Sequence, residues 1–317
     1  LSQRFGVQYD PDEEILVTVG ASEAVDLAMR VLLDPGDEFL VPDPAYVSYA
    51  PCVELAYGNA VAVPTHLEDE FRIKPGPLSD ACSERTRGLL FCNPSNPTGA
   101  IMRREDLEAV AEVARDRDLL VISDEIYAEL TYEGTHCSFA SLPGMHERTL
   151  LLNGFSKADA MTGWRIGYAC GPAEIIEAMT RIHAYTTMCV PIMARIAATE
   201  ALRHGDEDRA RMVAEYDQRR RVFVSGLNGI GLECFVPMGA FYAFPSIRST
   251  GLTSQQFAKA LLADQRVAVV PGDAFGERGE GHVRCSYASS IADLREALAR
   301  IEIFLARLDA GEVTIQP

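Results

Sequence analysis

An α/β fold built on a largely parallel sheet is what this sequence predicts, and three observations carry that expectation. Between Ile15 and about Ala184, short β-rich runs alternate with stretches of helical spacing, the order expected of strand–helix–strand units. Several of the strand candidates are apolar at nearly every position, as strands buried on both faces must be. Polar residues of chemical interest follow those runs directly, where open α/β sheets place their ligand-binding loops.

Taken in order, the strand candidates are residues 15–19, 38–41, 88–92, 119–123, 149–153 and 165–169. Helical spacing is clear at 22–33 and 104–117, and the turn Leu33-Asp34-Pro35-Gly36-Asp37 stops the first of these. From about His204 the texture changes: a long charged helix is expected over 206–227, ending at Asn228-Gly229, then shorter strands and a final helix over 291–308. This divides the chain into a large domain, 1–204, and a smaller C-terminal α+β domain, 205–317, with the boundary near Gly205 uncertain by about ten residues.

With 317 residues and 48% hydrophobic content the chain has enough apolar material for a large core and a second small one. No stretch reaches the roughly 18 apolar residues of a membrane helix, and the first residues lack the basic and apolar regions of a signal peptide. A soluble cytoplasmic enzyme is therefore the expectation. A net charge of -17 argues against a nucleic-acid surface, which needs a basic patch. The eight cysteines form no Cys-x-x-Cys pair and the six histidines no ligand cluster, so reduced thiols and no metal are expected.

Lys157 stands out among only three lysines. It follows a strand candidate in Asn153-Gly154-Phe155-Ser156-Lys157, with Trp164-Arg165 a few residues on. That setting suits an amine held still and partly desolvated, the kind used for covalent chemistry with a carbonyl cofactor. Asp124 closes the apolar run Leu119-Leu120-Val121-Ile122, so it calls for a cationic partner, with a helix N-cap as its plainer role and Glu125 as the neighbouring acidic alternative. Gly20-Ala21-Ser22 opens a helix whose free N–H groups and positive dipole end favour an anion, and Ser22 is equally suited to N-cap it. Arg284 lies in an alternating strand, where an inward-facing guanidinium demands an anion.

These segments, in this order, resemble the class I pyridoxal-phosphate aminotransferases of fold type I. The lysine segment with Met161-Thr162-Gly163-Trp164-Arg165 resembles the family's cofactor-lysine signature. Asn93-Pro94-Ser95-Asn96-Pro97-Thr98-Gly99 resembles its asparagine–proline loop, and Ser123-Asp124-Glu125-Ile126-Tyr127 its aspartate–tyrosine strand end. Val19-Gly20-Ala21-Ser22-Glu23-Ala24 resembles the phosphate turn, and Pro42-Asp43-Pro44-Ala45-Tyr46 the segment of the ring-stacking aromatic. Gly281-His282-Val283-Arg284-Cys285-Ser286-Tyr287 resembles the strand of the substrate-carboxylate arginine.

The resemblance implies a mostly parallel seven-stranded sheet flanked by helices, a pyridoxal 5'-phosphate cofactor and a homodimer. It also implies residue roles. Lys157 would bond to the cofactor aldehyde and move the substrate proton, and Asp124 would pair with the ring nitrogen. Tyr127 and Asn96, the latter before a possible cis proline bond, would donate to the phenolic oxygen. Tyr46 would stack on the ring, with Tyr49 as a competitor or plain core residue. Gly20, Ala21, Ser22, Ser156 and Arg165 would hold the phosphate, and Arg284 with Asn96 the substrate carboxylate. The reaction implied is a ping-pong transfer between an α-amino acid and a 2-oxo acid such as 2-oxoglutarate. Serine at position 22, where aspartate and prephenate users carry lysine, tilts the donor toward aromatic or neutral side chains. A carbon–sulfur β-lyase of the same fold, an aminotransferase-like effector domain and an inactive fragment are the rivals. Family members carry several tens of residues ahead of the position of Leu1, including an arm and a tyrosine that reaches the partner subunit's phosphate.

Overall fold

The computed structural model describes residues 1–315. Its strands are β1 (Ile15–Thr18), β2 (Glu38–Asp43), β3 (Asn59–Pro64), β4 (Thr86–Cys92), β5 (Leu120–Asp124), β6 (Thr149–Gly154), β7 (Gly167–Cys170), β8 (Tyr242–Ala243), β9 (Val270–Pro271) and β10 (Val283–Ser286). Its α-helices are α1 (Ser2–Phe5), α2 (Ala21–Leu32), α3 (Tyr49–Leu55), α4 (Pro75–Asp80), α5 (Arg104–Asp116), α6 (Ala173–Thr186), α7 (Ile192–His204), α8 (Asp206–Gly229), α9 (Ser254–Gln265) and α10 (Ile291–Asp309). The first seven strands form one sheet in the order β1-β7-β6-β5-β4-β2-β3. Only β7 runs against the rest, pairing antiparallel with both β6 and β1.

Alternation along the central strands explains why both faces of this sheet are covered. Phe39, Val41, Leu90 and Ile122 point to one side, where they meet Leu27 and Met29 of α2 and Ile176 of α6. Leu40, Leu89, Phe91 and Val121 point to the other, against Leu107, Val110 and Ala114 of α5. Successive side chains in a strand face opposite ways, so a strand apolar at every position needs a helix layer on each side. Helix α5 starts where the Asp106 carboxylate accepts the Arg103 N–H at 3.0 Å, satisfying one orphan donor of the first turn.

The expected strands and helices are present, with three corrections. Strand β3 was missing from the sequence expectation; it is an edge strand of small residues ending in proline, with a weak pattern of its own. The strand expected at 165–169 begins at Gly167, because Arg165 takes a left-handed turn conformation at φ 52°. Helices α6, α7 and α9 were also not singled out, and their exposed faces carry too many apolar residues for a clean stripe.

A second, antiparallel sheet, β8-β10-β9, packs with α8, α9 and α10 around Phe223, Leu227, Phe257, Leu261, Val283 and Phe304. The long helix α8 ties this part to the large sheet through the buried guanidinium of Arg209, which meets Asp159 at 2.7 Å. Strands β5 and β6 run in parallel, so their carboxyl ends, Asp124 and Gly154, open on the same edge.

Phe39 is fully buried and its ring lies against Gly88, where no Cβ could fit. Phe39→Ala is expected to destabilise the chain by about 3–5 kcal/mol, the usual cost of emptying such a site. A urea titration read by circular dichroism checks this, and an unchanged midpoint contradicts it.

Candidate active site

At that edge of the large sheet, one cavity of about 310 Å³ is lined by residues from both sheets. Ala21, Ser22, Tyr46, Asn96, Asp124, Tyr127, Ser156, Lys157, Arg165 and Arg284 all line it, and Gly20 adjoins it through Arg165. Five different loops or strand ends of the large sheet, and two strands of the small sheet through Tyr242 and Arg284, thus line one cavity.

Lys157 sits on the loop that leaves β6, three residues past its end. Its Nζ lies 5.6 Å from the ring centres of both Tyr127 and Phe241. Burial lowers the pKa of this amine, and the positive charges of Arg284 and Arg165 push the same way, against the opposing pull of Asp124. The neutral amine is therefore easier to reach here than in water.

Asp124, the last residue of β5, is buried at 5% exposure. The Tyr49 hydroxyl donates to its Oδ2 at 2.6 Å and the Ile126 N–H to its Oδ1 at 3.1 Å. Burial nonetheless raises its pKa to about 6, outweighing both hydrogen bonds. The residue caps a turn at 126–129 and no helix follows, which removes its plain helix-cap role. Tyr49, expected as a competitor of Tyr46 or simple core, has its hydroxyl on this carboxylate, while Tyr46 meets the Tyr49 ring edge-on at 5.4 Å. Glu125 faces away, fully buried among Ser123, Ser138 and His136.

Helix α2 starts at Ala21, and Gly20 is its N-cap at φ 77°, so Ser22 stands in the first turn and not at the cap as expected. A Cβ on Gly20 would collide with the Arg165 guanidinium, and one on Gly167 would lie 2.6 Å from the Ala21 nitrogen. Both positions need glycine so that this turn, strand β7 and Arg165 can close together. The left-handed turn at Arg165 swings its guanidinium back, where Nη1 donates to Ser156 Oγ at 3.3 Å and to the Thr162 carbonyl at 3.1 Å. The result is a helix N-terminus with a fixed cation beside it, an anion site by construction.

On the far wall, Arg284 of β10 donates from Nη1 to Asn96 Oδ1 at 2.9 Å. Guanidinium only donates, so this contact fixes the Asn96 amide with its NH2 free to donate elsewhere. The Asn96–Pro97 bond is cis. Tyr127, 2% exposed, has its hydroxyl 3.0 Å from that of Tyr242. Sequence reasoning missed Cys92, Tyr242 and Phe241, and named Tyr49 without its role on Asp124. For Tyr242 a signal existed: Ala240, Tyr242 and Phe244 alternate along one face, and a phenol on a buried face needs a partner.

Comparison with known proteins gives a consistent picture. The family model for aminotransferase class I and II matches residues 1–301. The chain is 46% identical to an aspartate aminotransferase of Pyrococcus abyssi over 305 residues, 95% of this chain and 78% of that one. It is 43% identical to aromatic-amino-acid aminotransferase 2 of Thermococcus litoralis, over 94% of this chain and 77% of that one. The crystal structure of an aromatic aminotransferase from Pyrococcus horikoshii superposes with a TM-score of 0.96 at 45% identity, covering 98% of this chain and 83% of that one.

The raised pKa of Asp124 sets a pH dependence for the ligand-free chain. A carboxyl whose folded pKa lies above its unfolded value near 3.8 stabilises the fold while protonated; the benefit is complete below pH 4 and is lost as pH rises through about 6. Stability should fall by about 3 kcal/mol between pH 4 and pH 7 from this group. Asp124→Asn should remove that slope in denaturant titrations across the range; an unchanged slope contradicts the assignment.

Proposed function

The chain belongs to the aminotransferase class I and II family, whose members depend on pyridoxal phosphate, and from that premise we propose the substrates and the residue roles of its reaction. In this reading an α-amino acid gives up its nitrogen and leaves as a 2-oxo acid, and a second 2-oxo acid such as 2-oxoglutarate takes the nitrogen away in a separate half-reaction. The observation that carries it is the meeting, in one cavity, of a desolvated lysine, a buried carboxyl without a cationic partner and an inward arginine.

The residues present fit the cofactor. A protonated pyridine nitrogen is the cation that the buried Asp124 lacks. The α2 N-terminus with Ser22, Ser156 and Arg165 suits a phosphate. Tyr46 offers a ring face, and Tyr127 with the free Asn96 amide offers two donors for a phenolic oxygen. Pyridoxal phosphate, once bound, supplies an electron sink for the pair left on the substrate α-carbon.

The chain does the rest. Arg284 grips the substrate α-carboxylate with two parallel hydrogen bonds, its orientation fixed by Asn96. Lys157 would bond to the aldehyde of the bound group, and its amine, neutral once released, would take and move the proton of the substrate α-carbon. Asp124 would pair with the protonated ring nitrogen of the bound group and keep it charged.

Three cations line the cavity, Lys157, Arg165 and Arg284, and each is engaged in this scheme. Among the described residues no further one lines it for a distal carboxylate, and Val25, Tyr46 and Tyr242 complete an apolar and aromatic wall. We therefore favour aromatic or neutral donors over aspartate. We also place a domain boundary at Gly205, between α7 and α8, and infer a homodimer. Its support is the apolar surface of Tyr185, Met188, Ile192, Met193 and Ile196, each at least 60% exposed.

Two measurements test this reading. Borohydride reduction should fix pyridoxal phosphate on the parent and not on Lys157→Ala, whose transamination should drop at least about 100-fold; a cofactor still fixed in the variant contradicts the lysine assignment. In a panel of amino donors with 2-oxoglutarate, kcat/KM should be higher for phenylalanine, tyrosine or leucine than for aspartate. The reverse order contradicts the donor assignment.

A further inference from the structure

The hydroxyls of Tyr127 and Tyr242 lie 3.0 Å apart in a buried setting. A phenol has one proton to give and two lone pairs with which to accept. With the Tyr127 O–H directed as a hydrogen-bond donor toward a bound cofactor's phenolic oxygen, the hydrogen between the two tyrosines has to be Tyr242's. Donation therefore runs from Tyr242 to Tyr127 to the cofactor, each link polarising the next.

The same residue faces the substrate side. Its ring lies under the Arg284 guanidinium at 4.5 Å, with the Phe275 ring 4.8 Å from the same group. The register explains the contact: Ser286 pairs with Tyr242, and Arg284, two residues away on β10, shares the face of Ser286. Tyr242 is thus the diagonal cross-strand neighbour of Arg284, within reach of a long side chain. The flat guanidinium over an aromatic face is an attractive pairing that also limits its motion.

We propose that Tyr242 is a positioning residue joining the two ends of the reaction: its hydroxyl drives the Tyr127 donation to the cofactor, and its ring holds Arg284 in place for the substrate carboxylate. The proposal rests on the roles assigned above to Tyr127 and Arg284. Hydroxyl and ring are separable by substitution, because Tyr242→Phe removes only the first and Tyr242→Leu removes both.

The experiment compares parent, Y242F and Y242L as pyridoxal-phosphate-loaded enzymes, with unfolding midpoints measured alongside. Absorbance of the bound cofactor is titrated against pH, and KM for the amino donor is determined. Weaker donation leaves the deprotonated phenolic oxygen less stabilised, so the cofactor should hold its proton to higher pH in Y242F, a roughly two- to tenfold change in the proton equilibrium. KM in Y242F should stay within about twofold of the parent, since the ring remains; in Y242L it should rise roughly two- to thirtyfold. A Y242F titration that overlays the parent overturns the hydroxyl role, and a Y242L KM equal to the parent overturns the ring role. Equal losses in both measures for both variants indicate a general structural defect and overturn the division of labour. A parent that shows no bound-cofactor band defeats the functional reading beneath it, and the proposal falls with it.

Discussion

A carboxyl group at the end of a strand buried on both faces is the constraint around which the rest is arranged. Asp124 is carried there by β5, whose apolar residues feed helix layers above and below the sheet. Such a group costs free energy unless something donates to it or neutralises it. Tyr49 and the Ile126 N–H supply two hydrogen bonds, yet the carboxyl still titrates near 6. The remaining demand is for a cation on the open side of the cavity. Lys157, on the loop after the neighbouring parallel strand, feels that demand as the strongest influence resisting its loss of a proton.

Close approach of backbone to backbone is the second constraint. Gly20, Gly167 and the left-handed Arg165 bring the start of α2, the start of β7 and one guanidinium into a single turn. The reversed direction of β7 matters here: it returns the chain to the open edge only thirteen residues after β6 leaves it, by the count from Gly154 to Gly167. Lysine and arginine eight positions apart in sequence therefore both line one pocket. A parallel partner would instead have to start from the opposite edge of the sheet, so the chain would have to cross over before it could pair.

The third element is the reach of the small sheet into that pocket. Arg284 and Asn96 are 188 positions apart, and their hydrogen bond joins β10 to the loop after β4. Tyr242 and Phe275 hold the guanidinium between aromatic faces. Recognition of an anion at this point is thus coupled to the relative placement of the two sheets.

Much of this was legible beforehand. Strands such as 88–92 and 149–153 declare themselves because their central positions are apolar without a break, so Lys157, Asp124 and the Gly20 turn could be picked out by their place near strand ends. Edge strand β3 and the exposed helices α6 and α7 gave weak patterns, since an element packed on one side or covered by apolar surface lacks a clean period. Sequence alone determined the α/β class, the order of the segments and the residue types at the strand ends, because burial pattern and turn chemistry are local properties. Tertiary structure alone decided that Tyr49 serves Asp124, that Gly20 and not Ser22 caps α2, and that Tyr242 lies between Tyr127 and Arg284. Those contacts join residues 75, 115 and 42 positions apart or turn on a backbone angle, and no local pattern encodes a meeting across such distances.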